Sequence, residues 1–175
     1  AVMNNPLYAD RELDHQFNDS GAKVLITLDL LGNRMIDLRP QTQIKQIVYT
    51  SIGDYLPFPK NLLFPLVGKK KGLAATVKPA EEIYKWKPLL ASTQPNPPKV
   101  AIDFEDVAMY QYTGGTTGVS KGVMLSHSHL SSNVQQAISW FPDLKPGAER
   151  LVGNFPVFHT AGFMAIQNMI TWQAW

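Results

Sequence analysis

A chain of 175 residues with 45% hydrophobic content is long enough to bury a core, and a net charge of +2 offers no electrostatic footprint for nucleic acid. It has no cysteine, which excludes disulfides and thiolate metal sites and fits a reducing cytoplasm. No apolar run reaches the ~20 residues of a membrane-spanning helix, and residues 1–6 lack the basic start and apolar stretch of a signal peptide.

Residues 10–20 read as a helix, with Asp10 placed as its N-cap, Leu13 and Phe17 on one face and Gly21 as the stop. Residues 24–28 make a compact apolar run suited to a buried strand. Leu30, Leu31, Met35 and Leu38 share a helical face that ends near Pro40, and residues 44–50 alternate into a second strand. This helix–strand–helix–strand order predicts an α/β fold with parallel, doubly wound layers. Between Ser51 and Pro98 the rhythm breaks down. Most of the prolines and the cluster Lys69, Lys70 and Lys71 fall there, so the stretch reads as an insertion or surface excursion. Order returns at residues 106–112, a strand. Leu130, Val134, Ala137, Ile138 and Phe141 then mark a helix that ends by Pro142. Residues 150–155 read as a further strand, and Phe163, Ile166, Met169 and Ile170 mark a final helix.

Residues 112–122, Tyr-Thr-Gly-Gly-Thr-Thr-Gly-Val-Ser-Lys-Gly, carry the strongest chemical signal. Glycines let backbone N–H groups approach a ligand closely, threonine hydroxyls add donors, and Lys121 adds a mobile positive charge. Together they suit a polyphosphate better than a plain polar turn. The Walker pattern fails, because Val119 and Ser120 separate Gly118 from Lys121, and adjacent glycines at 114 and 115 break the kinase-type spacing. Residues 122–125 read as a strand, so the loop joins two strands rather than capping a helix. Hydroxyls, backbone amides and Lys121 must then do the binding.

This run, continued by Val123-Met-Leu-Ser-His127, is similar to the phosphate loop of the adenylate-forming (AMP-binding) enzymes. Phe155-Pro-Val-Phe-His159-Thr-Ala-Gly162 resembles their aromatic-rich Pro-x-x-His motif. Asn5-Pro-Leu-Tyr8, Arg11-Glu-Leu13 and Asn18-Asp-Ser-Gly-Ala22 resemble the bacterial long-chain fatty-acid–CoA ligases. The resemblance implies that residues 1–175 are an internal piece of a large N-terminal domain, with the C-terminal domain absent. It implies fatty acid, ATP, Mg²⁺ and CoA as partners in a two-step activation: acyl-adenylate first, then the thioester. Thr113, Gly114, Gly115, Thr116, Thr117, Gly118, Ser120, Lys121 and Gly122 would hold ATP, with Thr117 at the metal. Lys121 would neutralise β/γ-phosphate charge, and His159 would shape and polarise the acyl and α-phosphate region. Many members have proline where Ser120 stands; serine keeps a donor there. The family's glutamate motif, ribose-binding aspartate and catalytic lysine are missing from this chain, which is therefore expected to be inactive alone. An aryl- or short-chain-acid CoA ligase and a non-catalytic nucleotide-binding module remain as alternatives. The oligomeric state is left open.

The remaining polar groups read more plainly. His127 and His129 lack a third ligand nearby and suit a strand–helix junction better than a zinc site. Taken alone, His159 would most simply be a packed histidine. Asp103, Glu105 and Asp106 sit at the far end of a strand from Gly114, roughly 20 Å away at ~3.3 Å per residue, and suit a solvated turn. The apolar run at residues 62–67, followed by Lys69, Lys70 and Lys71, fits two settings: packing on its own domain, or peripheral contact with the inner face of a membrane by a cytoplasmic protein.

Overall fold

The computed structural model describes residues 1–114 and 118–173. They fall into two compact units, one made of residues 9–99, the other of residues 1–8 with residue 100 onward.

In the first unit, α1 (Asp10–Asp19) buries Leu13 and Phe17, and Gly21 follows it at φ +65°, where only glycine is unstrained. The N-cap is Ala9, not Asp10. Glu12 turns back to accept from the Ala9 N–H at 2.9 Å, while Asp10 pairs with Arg34 at 2.7 Å. β2 (Val24–Leu28) runs parallel to β3 (Gln46–Thr50), with α2 (Asp29–Leu38) between them in sequence. β3 is central and carries the buried Ile47 and Val48. β2 is less buried than its composition predicts: Val24 and Ile26 are 52% and 61% exposed, because their face of this edge strand is uncovered.

α2 buries Gly32, Met35, Ile36 and Leu38, with Leu30 and Leu31 only half-buried. Its packed face is rotated because a second segment lies along it. The buried Asp29 carboxylate accepts from the N–H groups of Leu30 at 2.9 Å and Ala75 at 3.3 Å. Asn33 binds the Thr76 carbonyl at 2.9 Å and the Lys78 N–H at 2.8 Å. A Cβ at Gly32 would stand 2.7 Å from Val77 Cγ2, so glycine is what lets the segment close on the helix.

Residues 51–98 hold more regular structure than their lack of rhythm predicts. A short 3₁₀ turn at Ile52–Tyr55 leads to α3 (Lys60–Lys70); β4 (Ile83–Lys85) then extends the parallel sheet beyond β3, and α4 (Trp86–Ser92) follows. Just before β4, Glu82 accepts from Gln46 Nε2 and Tyr84 Oη, both at 2.9 Å, and these bonds hold its carboxyl below the ordinary carboxylate value.

The second unit is a mixed sheet with two helices. β1 (Val2–Met3) pairs parallel with β5 (Val107–Thr113), which pairs antiparallel with β6 (Lys121–Ser126). β6 passes directly into α5 (His127–Trp140), and α6 (Thr160–Thr171) packs against α5. Phe141 meets the buried Trp172 edge-on at 6.0 Å between ring centroids. Residues 150–155 form no strand, contrary to their apolar pattern. No ladder partner stands beside them among the described residues, and Val152 and Phe155 are exposed. The α/β class holds, with one sheet wholly parallel and the other mixed.

Candidate phosphate-binding site

The glycine-rich run lies where its flanks predict, between two antiparallel strands. Their register aligns Tyr112 with Gly122 and Thr113 with Lys121, so residues 114–120 close the open end of a hairpin. Thr113 Oγ1 donates to the Lys121 carbonyl across that end, a long bond at 3.5 Å. Gly122 is needed by the hairpin itself, because a Cβ there would stand 2.9 Å from the ring of the buried Tyr112. Gly114 and Gly118 are different. Gly114 is not at positive φ, and a Cβ on either would meet nothing within 4 Å among the described residues. Nothing among the described residues crowds those positions, and close approach of a ligand to the backbone is one reason for glycine there. Gly115, Thr116 and Thr117 lie outside the described residues. Gly118, Ser120 and Lys121 follow on the far side of the loop, and Lys121 opens β6 with an exposed side chain.

Residues 118–122 also spell G-x-S-x-G, the nucleophile elbow of acyl hydrolases. That motif works on a sharp strand-to-helix turn. Here the serine precedes a strand, so the context is wrong for a nucleophile.

His159 lies in a turn tied to β5. It is the N-cap of α6, with Nδ1 accepting from the Ala161 N–H at 3.2 Å. An accepting Nδ1 carries no proton, so the neutral ring bears its hydrogen on Nε2 and can donate there. The segment before it is irregular rather than a strand. Two residues that motif reading assigned no role fix this turn. Gln111, two positions before Thr113 on β5, donates from Nε2 to the Phe158 carbonyl at 3.3 Å. Gly162 faces the Pro156 carbonyl oxygen so closely that a Cβ would stand 2.1 Å from it. A lone glutamine on an apolar strand and a glycine in the first turn of a helix were the available signals for both.

The other candidates resolve into local structure. Ser126 caps α5 by accepting from the His129 N–H at 3.3 Å, while His129 Nδ1 accepts from the Ser126 N–H at 3.1 Å. His129 thus fills the place that glutamate usually takes in a capping box. Asp103 and Asp106 close a turn on themselves, with Asp106 Oδ2 taking the Asp103 N–H at 2.9 Å and Asp103 Oδ1 the Glu105 N–H at 2.8 Å. No group of three or more His, Cys, Asp or Glu among the described residues could hold a metal ion. The described donors, Lys121 with the glycine amides and Ser120, suit a polyphosphate. For Mg²⁺ they offer no carboxylate cluster, and Thr117 lies outside the described residues.

Comparison with known proteins gives the site its context. The chain is 41% identical over 173 residues to a long-chain-fatty-acid–CoA ligase of Bacillus subtilis, covering 95% of this chain and 30% of that protein. It is 35% identical over 161 residues to one of Salmonella typhimurium, covering 90% and 29%. The crystal structure of a long-chain-fatty-acid-CoA ligase from Archaeoglobus fulgidus matches with a TM-score of 0.70 and 27% identity, covering 97% of this chain and 28% of that one. The chain thus spans about 30% of the length of the curated relatives it matches. Residues 1–173 match the family model described as AMP-binding enzyme, and the chain belongs to that family.

Proposed function

We propose that the intact protein carrying this chain activates a long-chain fatty acid with ATP, forming an acyl-adenylate and pyrophosphate, and then passes the acyl group to the CoA thiol. The hairpin of β5 and β6 carries this reading: its two strands are joined by a glycine–threonine run, and no described residue crowds Gly114 or Gly118. The first step brings a carboxylate onto a triphosphate, so donors and positive charge must already stand at the phosphates. Thr113, Thr116, Thr117 and Ser120 donate to phosphate oxygens, while Gly114, Gly115, Gly118 and Gly122 admit the ligand to the backbone. Lys121 neutralises the β/γ-phosphates as pyrophosphate departs. His159 lines the acyl side and donates from Nε2 toward the reacting carboxylate or α-phosphate. Bound Mg²⁺ would add charge neutralisation at the triphosphate, with Thr117 as this chain's ligand. The long-chain acid is favoured over an aryl or short-chain acid by the two bacterial relatives at 41% and 35% identity.

The test is ATP–pyrophosphate exchange in the intact protein and in residues 1–175 alone. The intact protein should exchange only when a long-chain fatty acid is present. The chain alone should not exceed a heat-killed control, because the glutamate and lysine motifs of the family are not in it. Exchange by the chain alone, or none by the intact protein with any carboxylic acid, contradicts this reading.

A further inference from the structure

The amide of Gln111 is a poor element of stability for the strand that carries it. Its Nε2 donates to the Phe158 carbonyl at 3.3 Å, which is long for such a bond. Its Oε1 is buried, with no hydrogen-bond partner among the described residues. A long bond adds little to folding, whereas a buried acceptor left unmatched carries its full desolvation cost. An apolar side chain of the same length would serve β5 as well. What the bond holds is a better reason for glutamine than stability.

It holds the turn before α6. Phe158 leads directly into His159, whose N–H donates to the Pro156 carbonyl at 3.0 Å. That carbonyl in turn lies against Gly162, so the turn is seated on α6 at one point and tied to β5 at another. The register of the hairpin shows which face of the sheet takes the tie. Side chains alternate along a strand, so Gln111 and Thr113 point to the same side of β5, about 7 Å apart along it. Residues paired across a ladder share a face as well, and here Gln111 stands opposite Val123 and Thr113 opposite Lys121. The face that carries Thr113 and Lys121 is therefore the face to which the His159 turn is tied. We propose that Gln111 is a positioning residue for acid activation: through the Phe158 carbonyl it sets His159 relative to the phosphate-binding residues of the hairpin. It acts on the turn and not on the substrate. The proposal rests on the ligase reading, in which His159 donates to the reacting carboxylate or α-phosphate.

The experiment is acid-dependent ATP–pyrophosphate exchange by the intact protein and its Gln111 variants. Gln111→Met keeps the length of the side chain and removes both the donor and the unmatched oxygen. Gln111→Glu keeps its shape and sets a carboxylate against the Phe158 carbonyl. Each should lower kcat about tenfold, as expected for a misplaced catalytic group. The KM for ATP should not change, because Thr113 and Lys121 stay on the hairpin. Gln111→Met should also keep the urea midpoint of the unaltered protein. A double-mutant cycle supplies the readout that a merely structural role would not move: in a His159→Ala background, Gln111→Met should cause no further loss. An equal loss in both backgrounds, a loss carried by the KM for ATP, an unchanged kcat, or a Gln111→Met protein that fails to fold overturns the proposal and leaves the ligase reading standing. No exchange by the unaltered protein with any carboxylic acid overturns both.

Discussion

Lys121→Ala in the intact protein is expected to slow acyl-adenylate formation by roughly a hundredfold to a thousandfold, the loss typical of one preorganised electrostatic donor. Thioester formation from supplied acyl-adenylate should change little. The asymmetry follows from where the charge sits. Lys121 begins β6 directly after the loop, in register with Thr113, so its backbone is fixed by the hairpin while its side chain stays exposed. A cation there serves the triphosphate while negative charge builds on departing pyrophosphate. Once pyrophosphate has left, the adenylate retains only the α-phosphate and the demand for that cation falls. Single-turnover assays of the two half-reactions measure the split. Equal losses in both would assign Lys121 to general folding or adenylate binding rather than to the leaving phosphates.

Gly162→Ala should be the most damaging of the small substitutions. The added methyl would meet the backbone carbonyl of Pro156 at 2.1 Å, with the carbonyl carbon at 2.6 Å and the Phe155 oxygen at 2.9 Å. Backbone cannot rotate away as a long side chain can, so either α6 or the 155–159 turn must shift. Overpacking of this kind costs about 1–3 kcal/mol or more. The shift also carries His159, whose position depends on its capping bond to Ala161 and on the Gln111 tie at Phe158. Both the urea midpoint and the acid-dependent exchange rate should therefore fall. Gly153→Ala is the control, since a Cβ there meets nothing within 4 Å and its φ is ordinary; it should stay within about 0.5 kcal/mol. If the two alanine variants unfold at the same urea concentration, the close approach at Pro156 is not a constraint on the protein.

The parts of this fold legible in the sequence were those with strong local chemistry. Leu13 and Phe17 at helical spacing before Gly21 specify α1 without help from the rest of the chain. The polar break at 113–120 between two apolar runs likewise specifies a hairpin. What escaped was set by distant partners. Residues 150–155 have the side chains of a strand, but strand formation needs a neighbour to complete its hydrogen bonds, and none stands there among the described residues. β4 has the opposite history: Ile83, Tyr84 and Lys85 look unremarkable until β3 supplies a parallel edge. Asp10 looked like a cap because its side chain is of the right type, yet the cap falls at Ala9 once Glu12 reaches back and Arg34 draws Asp10 away. The motifs pick out the run at 112–122 and His159 but not the residues that hold the 155–159 turn. Gln111 and Gly162 act through one side-chain bond and one steric approach, and a lone glutamine or a helix-start glycine does not by itself name its partner.

The central claim, that this hairpin grips the phosphates of ATP, is tested most directly by comparing ATP and AMP affinities of the intact protein and its Lys121→Ala variant by calorimetry. A charge-assisted contact to the β/γ-phosphates predicts that the variant loses roughly tenfold to a hundredfold in ATP affinity and keeps its AMP affinity. Equal weakening of both nucleotides, or of neither, would contradict it.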